Sequence, residues 1–148
     1  MAQIDPIHQQ LREELRAAGL RATASRVAVL RLLRGSGQPL SHGEVVRALS
    51  DGPWDRSSLY RNLIDLERVG LARRTQLGAP VWRFEDVQSD HAVSAHPHLV
   101  CTDCGKVACL PMLEVSTPSV DGFTGAADDS DGVEVQLRSR CDSCRKSS

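Results

Sequence analysis

The sequence predicts an α+β chain, helices first and short strands after, with its last third closed around a metal. Three observations carry this reading. Residues 1–70 repeat apolar side chains at three- and four-residue spacing between helix-capping signals. Two short β-like runs then flank a turn containing Gly78 and Pro80. Finally, the chain carries two matched pairs, Cys101-Thr102-Asp103-Cys104 and Cys141-Asp142-Ser143-Cys144. Cysteines separated by two residues on a tight turn aim both sulfurs at one point, and two such turns make the four-thiolate set that Zn²⁺ takes in a closed structural site. Two disulfides or a redox Cys-x-x-Cys are the rival readings. A redox motif needs only one pair, normally beside a βαβ pattern, which is not found here.

The helices follow in order. Ile7, Leu11 and Leu15 predict a first helix over residues 7–18, closed by Gly19. Thr23 is the N-cap of a second, which carries Val27, Leu30 and Leu33 and ends before Gly35. Ser41-His42-Gly43-Glu44 is a capping box that opens a third through Val45, Val46 and Leu49. Asp51-Gly52-Pro53 breaks the chain. Asp55 then caps a fourth helix over 56–69, which stops at Gly70. Leu59, Leu63 and Leu66 line one of its faces; Arg56, Ser57, Tyr60 and Arg61 fall on or near the other. Strands over 71–75 and 81–84 complete a hairpin. Short helices followed by a hairpin form the winged helix-turn-helix plan, in which the last helix enters the DNA major groove and the wing touches the backbone.

The second half is laid out differently. Residues 86–95 are polar and read as a hinge between an N-terminal domain, 1–85, and a C-terminal one, 96–148. His98-Leu99-Val100-Cys101 and Lys106-Val107-Ala108-Cys109-Leu110 form a hairpin whose turn carries the first cysteine pair. Residues 133–138 alternate and lead into the second pair. Between them, 111–132 supports at most one short helix, near 112–119.

Charge divides the same way. Residues 1–78 hold 12 arginines against 8 acids, and residues 79–148 hold 6 basic against 11 acidic side chains. Only the first half suits a polyanion. At 148 residues with 3% aromatics, each half is marginal alone, and metal binding and oligomerisation would stabilise it. There is no membrane-length apolar run and no signal-peptide pattern, and the five cysteines are odd in number with zinc spacing, so a cytoplasmic location is expected.

Taken together, Gly19-Leu20-Arg21-Ala22-Thr23, Arg26, Leu30, Ser58-Leu59-Tyr60-Arg61-Asn62-Leu63, Leu66-Glu67, Gly70-Leu71, Phe84-Glu85, His96-Pro97-His98-Leu99-Val100-Cys101, Cys104-Gly105-Lys106-Val107 and the closing cysteine pair resemble the ferric uptake regulator family. The resemblance runs from Arg16 to Cys144. It implies a homodimeric, metal-sensing transcription factor, usually a repressor of metal homeostasis genes. Its winged helix binds inverted-repeat DNA, and a small α/β domain dimerises. On this pattern Cys101, Cys104, Cys141 and Cys144 hold structural Zn²⁺. Tyr60 and Arg61 meet DNA, with Arg56, Ser57 and Ser58 at the helix start where backbone N–H groups favour phosphate.

The resemblance also implies a separate regulatory site, for which Glu85, His96 and His98 are the matching ligands. Two departures bear on it. Cys109 stands where many members place a carboxylate, and a thiolate with imidazole favours Zn²⁺ over Fe²⁺ or Mn²⁺. Pro39 stands where iron sensors usually have a histidine, and His42 follows three residues later as a replacement candidate. Asp90 and His91 are reserve ligands. At the family's further C-terminal site, Ser116 and Val133 replace the glutamate and histidine, with Glu114 the nearby acid, so that site is expected to be absent or rebuilt. A peroxide- or thiol-responsive regulator of the same fold is the first alternative, and a zinc-ribbon interaction module without a DNA role the second. An enzyme is not expected, because a four-sulfur site has no open position for water.

Overall fold

The computed structural model describes residues 5–76, 80–88, 97–110 and 135–147. Each N-terminal helix begins where a side chain satisfies a backbone N–H that the helix itself leaves open. Asp5 accepts from Ile7 at the start of α1 (Pro6–Ala17), and Thr23 accepts from Arg26 at the start of α2 (Ala24–Ser36). Both bonds of the Ser41–Glu44 capping box open α3 (His42–Ala48). At α4 (Arg56–Arg68) the cap is Asp55, which accepts the Ser58 N–H at 2.7 Å.

The buried faces of these helices meet in one core. Leu11 and Leu15, Val27, Leu30 and Leu33, Val45, then Leu59, Leu63 and Leu66 pack with Phe84. Burying each such side chain stabilises by roughly 1.5–3 kcal/mol. Ion pairs fasten the margins: Arg26 on α2 reaches Asp65 on α4 at 2.6 Å, and Arg34 on α2 holds both Glu14 of α1 at 2.8 Å and the fully buried Asp86 at 2.6 Å.

An antiparallel sheet of order β1-β3-β2 closes this core, built from β1 (Leu40–Ser41), β2 (Ala72–Gln76) and β3 (Trp82–Asp86). A second sheet, of order β5-β4-β6, joins the hairpin β4 (His98–Cys101) and β5 (Val107–Cys109) to β6 (Gln136–Ser139), which runs parallel to β4. A short helix, α5 (Asp142–Lys146), follows. The core of this second sheet consists, among the described residues, of Val100 and Val107.

Several boundaries differ from expectation. Helix α2 passes through Gly35 and stops at Gly37, whose left-handed φ of 62° ends the helix. Asp86 is the last residue of β3 rather than the first of a hinge, because the Arg34 guanidinium and pairing with Ala72 hold it in the sheet. The two-residue β1 and the five-residue α5 were not foreseen, being too short to show a period. Residues 89–95 of the expected hinge and the possible helix near 112–119 lie outside the described residues.

An arginine of the first sheet reaches the turn that follows β4 in the second. Arg83 on β3 is 5% exposed, and it donates through Nη1 to Glu44 Oε2 at 2.7 Å and through Nη2 to the Gly105 carbonyl at 2.7 Å. Glu44 belongs to the capping box of α3, and Gly105 follows directly on the first cysteine pair.

Candidate metal centres and nucleic-acid face

The four cysteines arrive from two turns. The Cys101–Cys104 turn follows β4, and Gly105, with a φ of 74°, lets the chain reverse toward β5. Cys141 stands at the N-cap position of α5, without a side-chain capping bond, and Cys144 lies one turn into the helix. Parallel pairing of β4 with β6 brings both turns to the same end of the sheet. All four sulfurs lie within 4.8 Å of one another, and Cys104 Sγ is 3.8 Å from Cys141 Sγ. A tetrahedron with Zn–S bonds near 2.3 Å has sulfur–sulfur edges of about 3.8 Å. The donors therefore suit a structural zinc ion. Their electrostatics agree: the Cys101 thiol is held down to about 6 by the backbone N–H groups of Cys104 and Cys141. Cys144 is pushed up to about 12 by the neighbouring sulfurs of Cys141 and Cys104. Four sulfurs this close do not all ionise without a cation among them.

The residues expected to sense metal are only partly assembled. Glu85, on β3, is 4% exposed and lies directly opposite Arg73 of β2. Arg73 Nε and Nη2 both donate to Glu85 Oε1, at 3.0 and 2.6 Å. His98 opens β4 and pairs in register with Cys109 at the end of β5. Burial pushes the Cys109 thiol up to about 11, and the Glu85 carboxylate adds to the rise, so the charge of the β3 residue reaches the β5 residue across the two sheets. Among the described residues, the four cysteines alone bring three or more ligand atoms within 4.8 Å. His96, Asp90, His91 and Glu114 lie outside the described residues.

His42 rests on the fourth helix. Its Nε2–H donates to the Arg56 carbonyl at 2.9 Å, and its ring centroid is 5.1 Å from that of Tyr60. The start of α3 thereby rests on the start of α4. His42, Arg56, Ser57, Tyr60 and Arg61 line an open concavity of about 600 Å³ on the surface. Arg56, Ser57 and Arg61 are exposed, and Tyr60 is 41% exposed. Ser58 is spent differently: its hydroxyl donates to Asp55 Oδ2 at 2.8 Å, within the helix cap. The Ser58 backbone N–H, and then its hydroxyl, hold the Asp55 carboxyl below its ordinary range. On the hairpin, exposed Trp82 carries the Arg74 guanidinium 4.4 Å above its ring centre. Sequence reasoning missed that pair. The signal available was the strand alternation, which sends Trp82 and Phe84 to the same face, one at its exposed end and one in the core.

An exposed basic helix, an antiparallel wing and a β-domain closed by four cysteines together define a winged-helix, metal-binding regulator of transcription. Known proteins point the same way. A sequence model of the ferric uptake regulator family matches residues 17–127. The ferric uptake regulation protein of Bordetella parapertussis is 34% identical over 111 residues, covering 73% of each chain. The peroxide-responsive repressor PerR of Staphylococcus aureus is 33% identical over 110 residues, covering 71% of each. Among solved structures, the Vibrio cholerae ferric uptake regulator shares the fold with a TM-score of 0.63 at 24% identity, covering 88% of this chain and 98% of that one. The Pseudomonas aeruginosa ferric uptake regulator with manganese gives a TM-score of 0.56 at 26% identity, covering 88% and 96%. The chain belongs to the ferric uptake regulator family, whose members are metal-responsive, DNA-binding, dimeric regulators of transcription.

Proposed function

We propose that this protein is a metal-dependent repressor of metal homeostasis genes, with Zn²⁺ favoured over Fe²⁺ or Mn²⁺ as the regulatory ion. The observation that carries the preference is Cys109. It pairs with His98 in register and lies close enough to Glu85 for the carboxylate to raise its thiol. Sulfur, imidazole and carboxylate together form a softer set than the oxygen-rich sites that suit manganese. Glu85, His98 and Cys109, with His96, would hold the ion, which would supply the positive charge that draws donors of both sheets together. His42 is left to the DNA-reading face, since its ring already engages Arg56 and Tyr60.

On the DNA side, Tyr60 and Arg61 would read an inverted repeat, one half-site per protomer of a homodimer. Arg61→Ala is expected to weaken specific binding by roughly 1–3 kcal/mol with the fold intact. The test is gel-shift titration with Zn²⁺, Fe²⁺ and Mn²⁺ on duplexes selected in vitro by the protein. Half-saturation at the lowest free concentration for Zn²⁺ supports the reading. Equal binding by the stripped and the loaded dimer rejects it.

A further inference from the structure

We propose that Arg73 is a built-in competitor for the regulatory cation, holding Glu85 until a divalent ion displaces it and so setting the free-metal level at which the site fills. The inference rests on the reading of Glu85 as a regulatory ligand.

The two residues face each other across β2 and β3, and the Nε and Nη2 bonds from Arg73 converge on a single oxygen, Oε1. Their exposure is unequal. The Glu85 side chain is 5% exposed and that of Arg73 is 48% exposed, so the carboxylate is fixed while the guanidinium has a path to water. A buried carboxylate needs a counter-charge, because an uncompensated buried ion is strongly destabilising. Arg73 meets that need without metal, and a divalent ion would meet it with metal. Both cannot do so fully, since one carboxylate carries a single negative charge and two cations beside it repel each other.

Arginine suits a competitor better than lysine would. It stays charged at every accessible pH, and its fork gives two bonds to the one acceptor. The ion's apparent affinity is its intrinsic affinity reduced by the fraction of protein in which Arg73 holds the carboxylate.

The test uses the full-length dimer with its four-cysteine site filled and measures the affinity of the second Zn²⁺ equivalent against a chromophoric chelator. Arg73→Gln should bind that equivalent about tenfold more tightly than the parent, a change of about 1.4 kcal/mol. Arg73→Lys should fall between the two. Glu85→Gln should weaken binding by well over tenfold. Weakening by Glu85→Gln together with unchanged or weaker binding in Arg73→Gln overturns the competition and leaves the site standing. A Glu85→Gln protein with unchanged affinity overturns the site reading and the competition with it. Melting of the same proteins is the second readout. Arg73→Gln should melt lower than the parent without the second ion yet show a larger rise when Zn²⁺ is added, and equal rises would also overturn the competition.

Discussion

Two groups of candidate metal ligands in this protein are held in opposite ways. The four cysteines already stand within 4.8 Å of one another, drawn together by the pairing of β4 with β6. Glu85, His98 and Cys109 stand on two different sheets, and the carboxylate is engaged by Arg73. A site meant to hold its ion permanently gains from a closed donor set, because binding energy becomes folding energy. A site meant to respond gains from an open one, because an ion that changes nothing on binding reports nothing.

The largest expected effect strikes the closed site. Cys101→Ser should remove the structural zinc and, with it, folding free energy on the order of 10 kcal/mol. The second sheet, whose core among the described residues is Val100 and Val107, should lose its protection against amide exchange while the helical core keeps most of its own. If both halves lose protection together, the contrast between a metal-held lobe and an apolar-held lobe is wrong.

A smaller effect tests what fixes the open site. Arg34 pins Asp86, the residue after Glu85, and through Glu14 ties it to α1. Asp86 is fully buried and Arg34 is its counter-charge, so Arg34→Met should lower the unfolding free energy measured in urea by about 3 kcal/mol. The pairing also has a pH signature. The hydrogen bond from Arg34 holds the Glu14 carboxyl below its ordinary 4.5. A carboxyl depressed in the folded state contributes stability that is fully present above its unfolded pKa and lost as pH falls through the folded one. The parent should therefore lose stability to acid more steeply below about pH 4.5 than Arg34→Met does. Parallel acid curves would remove Glu14 from the account.

The smallest effect sharpens the chemistry. Cys109→Ser should weaken the second Zn²⁺ equivalent by about tenfold and leave Mn²⁺ nearly unchanged, since only the soft ion gains from sulfur. Chelator competition with both metals checks it, and equal loss for the two would mean that Cys109 packs rather than binds.

Much of this was legible in the sequence because the signals are local. Ser41 and Glu44 form their capping box from three-residue spacing alone, and Leu59, Leu63 and Leu66 declare the buried face of α4. The cysteine pairs work similarly, since each is one turn and only their meeting needs the fold. What was hidden depends on register and on long-range contact. That Arg73 would meet Glu85 follows from the pairing of β2 with β3, which a one-residue slip would have undone. That His42 would rest on Tyr60 depends on how α3 crosses α4, and that Arg83 would reach Gly105 depends on how the two sheets meet. Spacing along the chain carries none of these.

Arg83 couples the two lobes. Its guanidinium is shared, one nitrogen serving the start of α3 and the other the peptide just past the sulfur-bearing turn. Slide that turn away and Nη2 loses the Gly105 carbonyl inside the protein, a costly state that draws the lobes back into step. The lobes are geared to each other through one buried cation as well as by the chain that connects them.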